Sequence, residues 1–162
     1  MMVDRRLGEY SRMTPEKTGR RGSGVALDDV RSLIDAPSPA VLTTYRKDGS
    51  ALTTPVWFRF HDNAFEVVLA EGDVKRRHLA RTPSCLLVVF EAVPPFRGVE
   101  IKGVPKLTDG DVTAVREEIA GRYLGAERGR RFAASRRSPL GTLLRLESHG
   151  SRVWDLAGTL PD

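Results

Sequence analysis

A mainly-β fold, a small antiparallel barrel with a few peripheral helices, is what this 162-residue sequence predicts. Three observations predict it. Short runs rich in Val, Leu, Thr and aromatic residues follow one another from position 40 to 107 and again from 142 to 156. Tight-turn signals separate them, chief among them Asp48-Gly49, where glycine tolerates the positive φ a hairpin demands. Apolar residues at helical spacing are confined to a few short stretches.

Residues 1–24 are polar, rich in arginine and punctuated by Pro15, Gly19, Gly22 and Gly24, which predicts a flexible leader ahead of one domain over 25–162. Leu27, Val30 and Leu33 or Ile34 recur at helical spacing, with Asp28 and Asp29 where carboxylates favour the helix dipole. Pro37 and Pro39 end that helix. Residues 40–45 are the first strand and 51–60 the second. Pro55 inside the second cannot donate to a ladder, so it faces an edge, a bulge or a ligand. His61-Asp62-Asn63 turns the chain into a third strand over 65–70. Residues 73–81 read as a short basic helix with Asp73 as N-cap.

Residues 84–91 are continuously apolar, a strand covered on both faces, and Pro94-Pro95 breaks it. Val99 and Ile101 alternate with Glu100 and Lys102 in a fifth strand over 98–107. Val112, Val115, Ile119 and Tyr123 mark a helix over 109–123, followed by an arginine-rich segment, 124–138, holding a second short helix and a loop. Strands at 142–147 and 152–156 close the fold around a His149-Gly150 turn.

Composition narrows the function. The longest apolar run, 85–90, is far short of the ~18 residues of a membrane span. The charged N-terminus lacks the apolar centre of a secretory signal, so a cytoplasmic protein is expected. The net charge is +5, of which the leader's six basic and three acidic residues carry +3. A leader contact with nucleic acid rests on charge alone and is not favoured. One cysteine excludes an internal disulfide and a cysteine-only zinc site.

No conventional catalytic set is legible, and no catalytic side chain or metal ligand is assigned. His61, His78 and His149 pair with no cysteine or carboxylate at metal-ligand spacing. Cys85 sits in an apolar strand, as a buried inert thiol does. Nucleophile-elbow, phosphate-loop and dinucleotide glycine motifs are missing. Redox chemistry remains open, because there the cofactor performs the hard step and the protein orients it.

The basic helix is the best candidate site. Lys75 in its first turn would join free backbone amides and the positive end of the dipole, a setting for phosphate. The competing reading is a solvated helix face with Leu79 packed inward, and the Asp73 carboxylate would compete with phosphate for the same amides. Trp57 and Phe58 alternate sides of their strand. One belongs to the core; the other, beside Pro55, either flanks a planar ring or packs as well. Backbone groups of Thr54, Pro55, Val56 and Trp57 would read the ring's polar edge. Arg97 either meets an anion or pairs with Glu100, and Trp154 is a packing residue of the last strand.

Four segments, 43–49, 54–58, 75–79 and 96–103, together resemble the pyridoxamine 5′-phosphate oxidase-like split β-barrel proteins, and among them the deazaflavin-dependent branch. The resemblance implies a split barrel of six or seven antiparallel strands. It implies a homodimer with cofactor sites at the interface. It also implies FMN or coenzyme F420, the 5-deazaflavin, with hydride passed between the bound ring and a small conjugated acceptor. Lys75 matches the family's phosphate-binding lysine. His78 stands where relatives often carry an asparagine near the cofactor tail, and Arg97 and Gly98 fall near the same pocket in relatives. Departures are plain: where many relatives carry Ser/Thr on the third strand and Ser-Arg before the lysine, this chain has Leu69, Asp73 and Val74. Fewer phosphate ligands disfavour FMN. Arg122, Arg128, Arg130, Arg131, Arg136 and Arg137, against Glu127 alone, would form a groove for the deazaflavin's anionic tail. The alternatives are an arginine-rich solvated surface and a split barrel that binds a cofactor or heme without turnover.

Overall fold

The computed structural model describes residues 25–161; the expected leader lies outside the described residues. Among the described residues, nine strands form two antiparallel sheets. After a 3-10 turn at Leu27–Val30 and helix α1 (Arg31–Asp35), β1 (Ala40–Tyr45) and β2 (Ala51–Val56) make a hairpin around Gly49, whose φ is 83°. β3 (Arg59–His61) and β4 (Ala64–Ala70) make a second one around Asp62 and Asn63, both at positive φ, a conformation short polar side chains tolerate. Helix α2 (Val74–Arg81), β5 (Cys85–Phe90), β6 (Gly98–Gly103) and β7 (Lys106–Asp111) follow. Helices α3 (Thr113–Leu124) and α4 (Ala126–Ala134) precede β8 (Leu140–Glu147) and β9 (Arg152–Trp154).

One sheet has the order β2-β1-β5-β6-β9 and the other β3-β4-β8-β7. Alternate residues of β1 (Ala40, Leu42, Thr44) and β5 (Cys85, Leu87, Val89) point inward, as the two-residue period requires. They meet Phe58, Phe65, Ile101, Leu144 and Leu146 in one core. Among the described residues, no helix is long and apolar enough to cross a membrane.

Two expected strands divide. The run 51–60 breaks at Trp57 and Phe58, where the chain leaves the first sheet for the second. The run 98–107 breaks at Val104-Pro105 for the same reason, and β7 extends through Asp109, which the sequence assigned to a helix. The helix begins at Thr113 instead, and seven expected strands become nine. At each break a strand crosses between sheets, and proline at 105 removes the ladder donor that would have carried β6 onward.

Ion pairs tie neighbouring strands together in each sheet. Glu66 on β4 lies opposite Arg59 on β3 and Arg145 on β8, and bonds both, at 2.7 and 2.8 Å. Burial alone would raise this carboxyl's pKa, but the two guanidiniums overcome it and hold it below its ordinary value. Arg97 forks onto Glu91, not Glu100, at 2.9 and 3.0 Å.

Candidate functional site

Asp73 caps α2, its Oδ1 accepting the Lys75 amide at 2.9 Å. Lys75 thereby projects from the first turn toward β2, the edge strand of its sheet. Between them opens a cleft of about 280 Å³, just under the ~300 Å³ at which small-molecule sites begin. Pro55, Val56 and Trp57 form one wall, Val67 and Val68 of β4 another, and Lys75 stands at the cationic end. Ile119 and Arg116 come from α3, Phe132 from α4 and Arg136 from the turn that follows it.

The aromatic wall is built by stacking. Trp57 lies nearly parallel to Tyr123 at 5.0 Å between ring centroids and tilted against Phe132 at 5.2 Å. Tyr123 is itself anchored, its hydroxyl accepting from the Phe58 amide at 3.2 Å. Burial pushes that hydroxyl's pKa up, so it stays protonated. Phe58 is fully buried in the core while Trp57 lines the cleft. Arg136 sits over the Phe132 ring, 4.2 Å from its centroid.

Arg116 is 7% exposed and bonds the carbonyls of Ser138, at 3.1 Å, and Leu140, at 3.4 Å. Burial, then the nearby Arg136 cation, lowers its pKa, though an arginine remains charged. Two cations facing one cleft repel, and an anion between them would relieve that repulsion. Behind the cleft a hollow of about 560 Å³ shares Ala70, Arg116 and Arg136 with it and adds Arg137, Ser135 and one acid, Glu71. Among the described lining residues of the cleft, Asp73 is the sole acid, and it pairs with Lys75 at 3.3 Å.

The remaining expected site residues lie elsewhere. Thr54 precedes the cleft wall on β2, and its Oγ1 is buried without a hydrogen-bond partner. His78, one turn after Lys75, turns inward, its Nδ1 3.0 Å from the Thr44 hydroxyl. Burial, reinforced by Arg81, Arg46, Arg77 and Lys75, lowers its pKa and keeps it neutral. Arg97 and Gly98 lie at the start of β6, and within one chain they do not line the cleft. Trp154 packs on Gly98, where an added Cβ would come within 2.0 Å of the indole. Of the expected arginine groove, Arg136 and Arg137 face the cleft and hollow. Arg122 is spent on the Ile34 and Ala36 carbonyls, and Arg131 pairs with Glu127.

Arg116 and Phe132 were not legible as site residues. A signal for Arg116 existed: with Val112, Ile119 and Tyr123 it completes a stripe spaced four, three and four, and an arginine in an inward stripe is uncommon.

The donor set suits a planar ring carrying an anion: an apolar and aromatic slot, cations at one end, and a basic hollow beyond. The fold and this slot define a split β-barrel of the ligand-binding kind. A family model described as pyridoxamine 5′-phosphate oxidase matches residues 26–155, and the chain belongs to that family. A conserved hypothetical protein from Mycobacterium tuberculosis has a similar structure, with TM-score 0.72, 18% identity, and 90% of this chain and 95% of that one covered. A protein described as an F420 reductase is similar over 75% of this chain and 94% of its own, with 19% identity and TM-score 0.59. The heme storage protein HutZ from Vibrio cholerae shares the fold at 11% identity and TM-score 0.59, with 78% and 93% covered. No curated protein sequence matches the chain.

Proposed function

We propose that this chain is a flavin-type oxidoreductase, using coenzyme F420 or FMN to pass hydride to or from a small conjugated acceptor. The observation that carries the reading is the meeting of Pro55, Val56 and Trp57 with Lys75, Arg116 and Arg136 around one cleft. The family supports a flavin-type ligand, and the likeness to an F420 reductase favours the deazaflavin.

When bound, the cofactor supplies the hydride chemistry itself. The chain's residues hold and orient it. Pro55, Val56 and Trp57 border the ring. Lys75 takes the phosphate. Arg116 is fixed by two backbone carbonyls, so it presents its charge without first ordering a loose side chain. Arg136 and Arg137 extend the positive surface into the hollow, where the deazaflavin's anionic tail would run. Val67, Val68 and Ile119 keep water from the ring's face.

The cleft of one chain is small, and Arg97, Gly98 and His78 lie outside it. A homodimer with the site at its interface, working in the cytoplasm, would complete the cleft with residues of the second copy. His78 acts from behind, holding α2 against β1 through Thr44.

Titration of the purified full chain with each cofactor, followed by absorbance and tryptophan fluorescence, tests the reading. Binding of at least one below about 100 μM, about −5.5 kcal/mol, is expected. Failure of both overturns it. A second reading, a non-catalytic holder of cofactor or heme, draws on the likeness to the heme storage protein. A Soret band on adding heme, with no turnover of bound flavin, would favour it.

A further inference from the structure

We propose that Asp73 is a charge filter on the ligand, and the idea rests on reading the cleft as a flavin-type site. The filter favours a ligand whose anionic group carries one negative charge, a phosphodiester, over a doubly charged phosphomonoester.

Lys75 offers its backbone N–H and its ammonium to the cleft, and Asp73 engages both. Its Oδ1 accepts the Lys75 backbone N–H at 2.9 Å, and its two oxygens lie 3.3 Å from the ammonium. The pair is mostly buried, with side chains 13% and 21% exposed, so water screens it poorly. One nearby cation is already committed, Arg76 turning away to Asp109 at 3.1 Å. An oxyanion entering here meets a carboxylate that already occupies a phosphate oxygen's place.

The cost to the ligand scales with its charge. A phosphomonoester carries close to two negative charges at neutral pH, a diester one. Like charges in a partly buried site repel strongly. The diester can share Lys75 with the carboxylate; the monoester dianion must displace it. Asp73 therefore sets which phosphate linkage the site accepts, while Arg116 and Arg136 supply attraction that does not discriminate.

The test compares three compounds that share one ring: riboflavin, riboflavin 4′,5′-cyclic phosphate and FMN. They carry no charge, one, and nearly two. Dissociation constants are measured on the wild-type full chain and on Asp73→Asn. Asparagine caps helices as well as aspartate, so the variant keeps α2, and Asp73→Ser provides a second capped variant. In the wild type the cyclic phosphate binds tighter than FMN, and FMN gains no more than about threefold over riboflavin. In Asp73→Asn, FMN affinity rises about ten- to a hundredfold, the span of one charge-assisted bond. The cyclic phosphate gains less, and riboflavin stays within twofold. Adding Lys75→Ala to Asp73→Asn abolishes the gain. An unchanged FMN-to-riboflavin ratio in both Asp73 variants overturns the filter and leaves the flavin site standing. Absence of binding by all three compounds to every protein overturns the site, and the filter with it.

Discussion

Gly129 is where the cleft's outer wall is clamped, and replacing it with alanine puts the clamp to a quantitative test. A Cβ at this position would meet the Gly121 nitrogen at 2.4 Å, its Cα at 2.5 Å and the Ala120 carbonyl carbon at 2.9 Å. All three are backbone atoms of α3, so no side chain can swing aside. Ordinary contact begins at 3.4 Å, so α4 must retreat by about 1 Å. Overpacking of this kind costs about 1–3 kcal/mol. Alanine returns up to ~1 kcal/mol of helix propensity, since glycine is the poorer helix former. The net expectation is a loss of about 1–2 kcal/mol, read as a fall in Tm of roughly 3–6 °C for a domain of this size. Phe132 and Arg136, three and seven residues on, move with the helix, so the Trp57 fluorescence also changes and flavin affinity falls. Denaturant unfolding, the emission spectrum and a flavin titration on the same samples measure all three. A variant as stable as wild type, with unaltered emission, would refute the reasoning that the α3–α4 approach sets the cleft's width.

Other consequences can be measured alongside. Lys75→Ala leaves Asp73 unopposed beside the ligand's anion, so flavin phosphate binding weakens about ten- to 150-fold, about 1.5–3 kcal/mol; equal affinity would clear Lys75 of its role. Glu66 has a lowered folded pKa, so its stabilisation is full above the ordinary glutamate pKa and is lost as pH falls through the lower folded value. Glu66→Gln is therefore less stable at pH 7 by about 1.5–3 kcal/mol, and its urea midpoint changes less than wild type's between pH 5 and 3. Cys85 is fully buried and its thiol pKa is pushed up to about 12, so a thiol reagent at pH 8 labels it only after unfolding; rapid labelling of the native chain would contradict its place in the core.

The sequence carried much of this fold because local chemistry agreed with tertiary structure. The Asp48-Gly49 hairpin, the apolar β5 and the Asp73 cap are each dictated by residues within a few positions of one another. The breaks at Trp57-Phe58 and Val104-Pro105 are not, because a strand changes sheets where closure of the whole fold requires it. Most of β7, from Thr108 to Asp111, escaped notice because every residue there is exposed, leaving no alternation of apolar and polar side chains to read. The site divides the same way. The Pro55–Trp57 wall and Lys75 share one cleft, and each stood out in its own segment. Arg116 and Phe132 join them only through the α3–α4 packing, which depends on the approach of two glycines. The Glu66 cluster likewise depends on β3 and β8 flanking β4, a pairing between residues nearly 80 positions apart in sequence.

A structure of the chain with a bound flavin tests the central claim most directly. The account predicts the ring against Pro55, Val56 and Trp57, with its phosphate within hydrogen-bonding reach of Lys75. A ring bound away from β2, or a phosphate held only by residues remote from the start of α2, would contradict it.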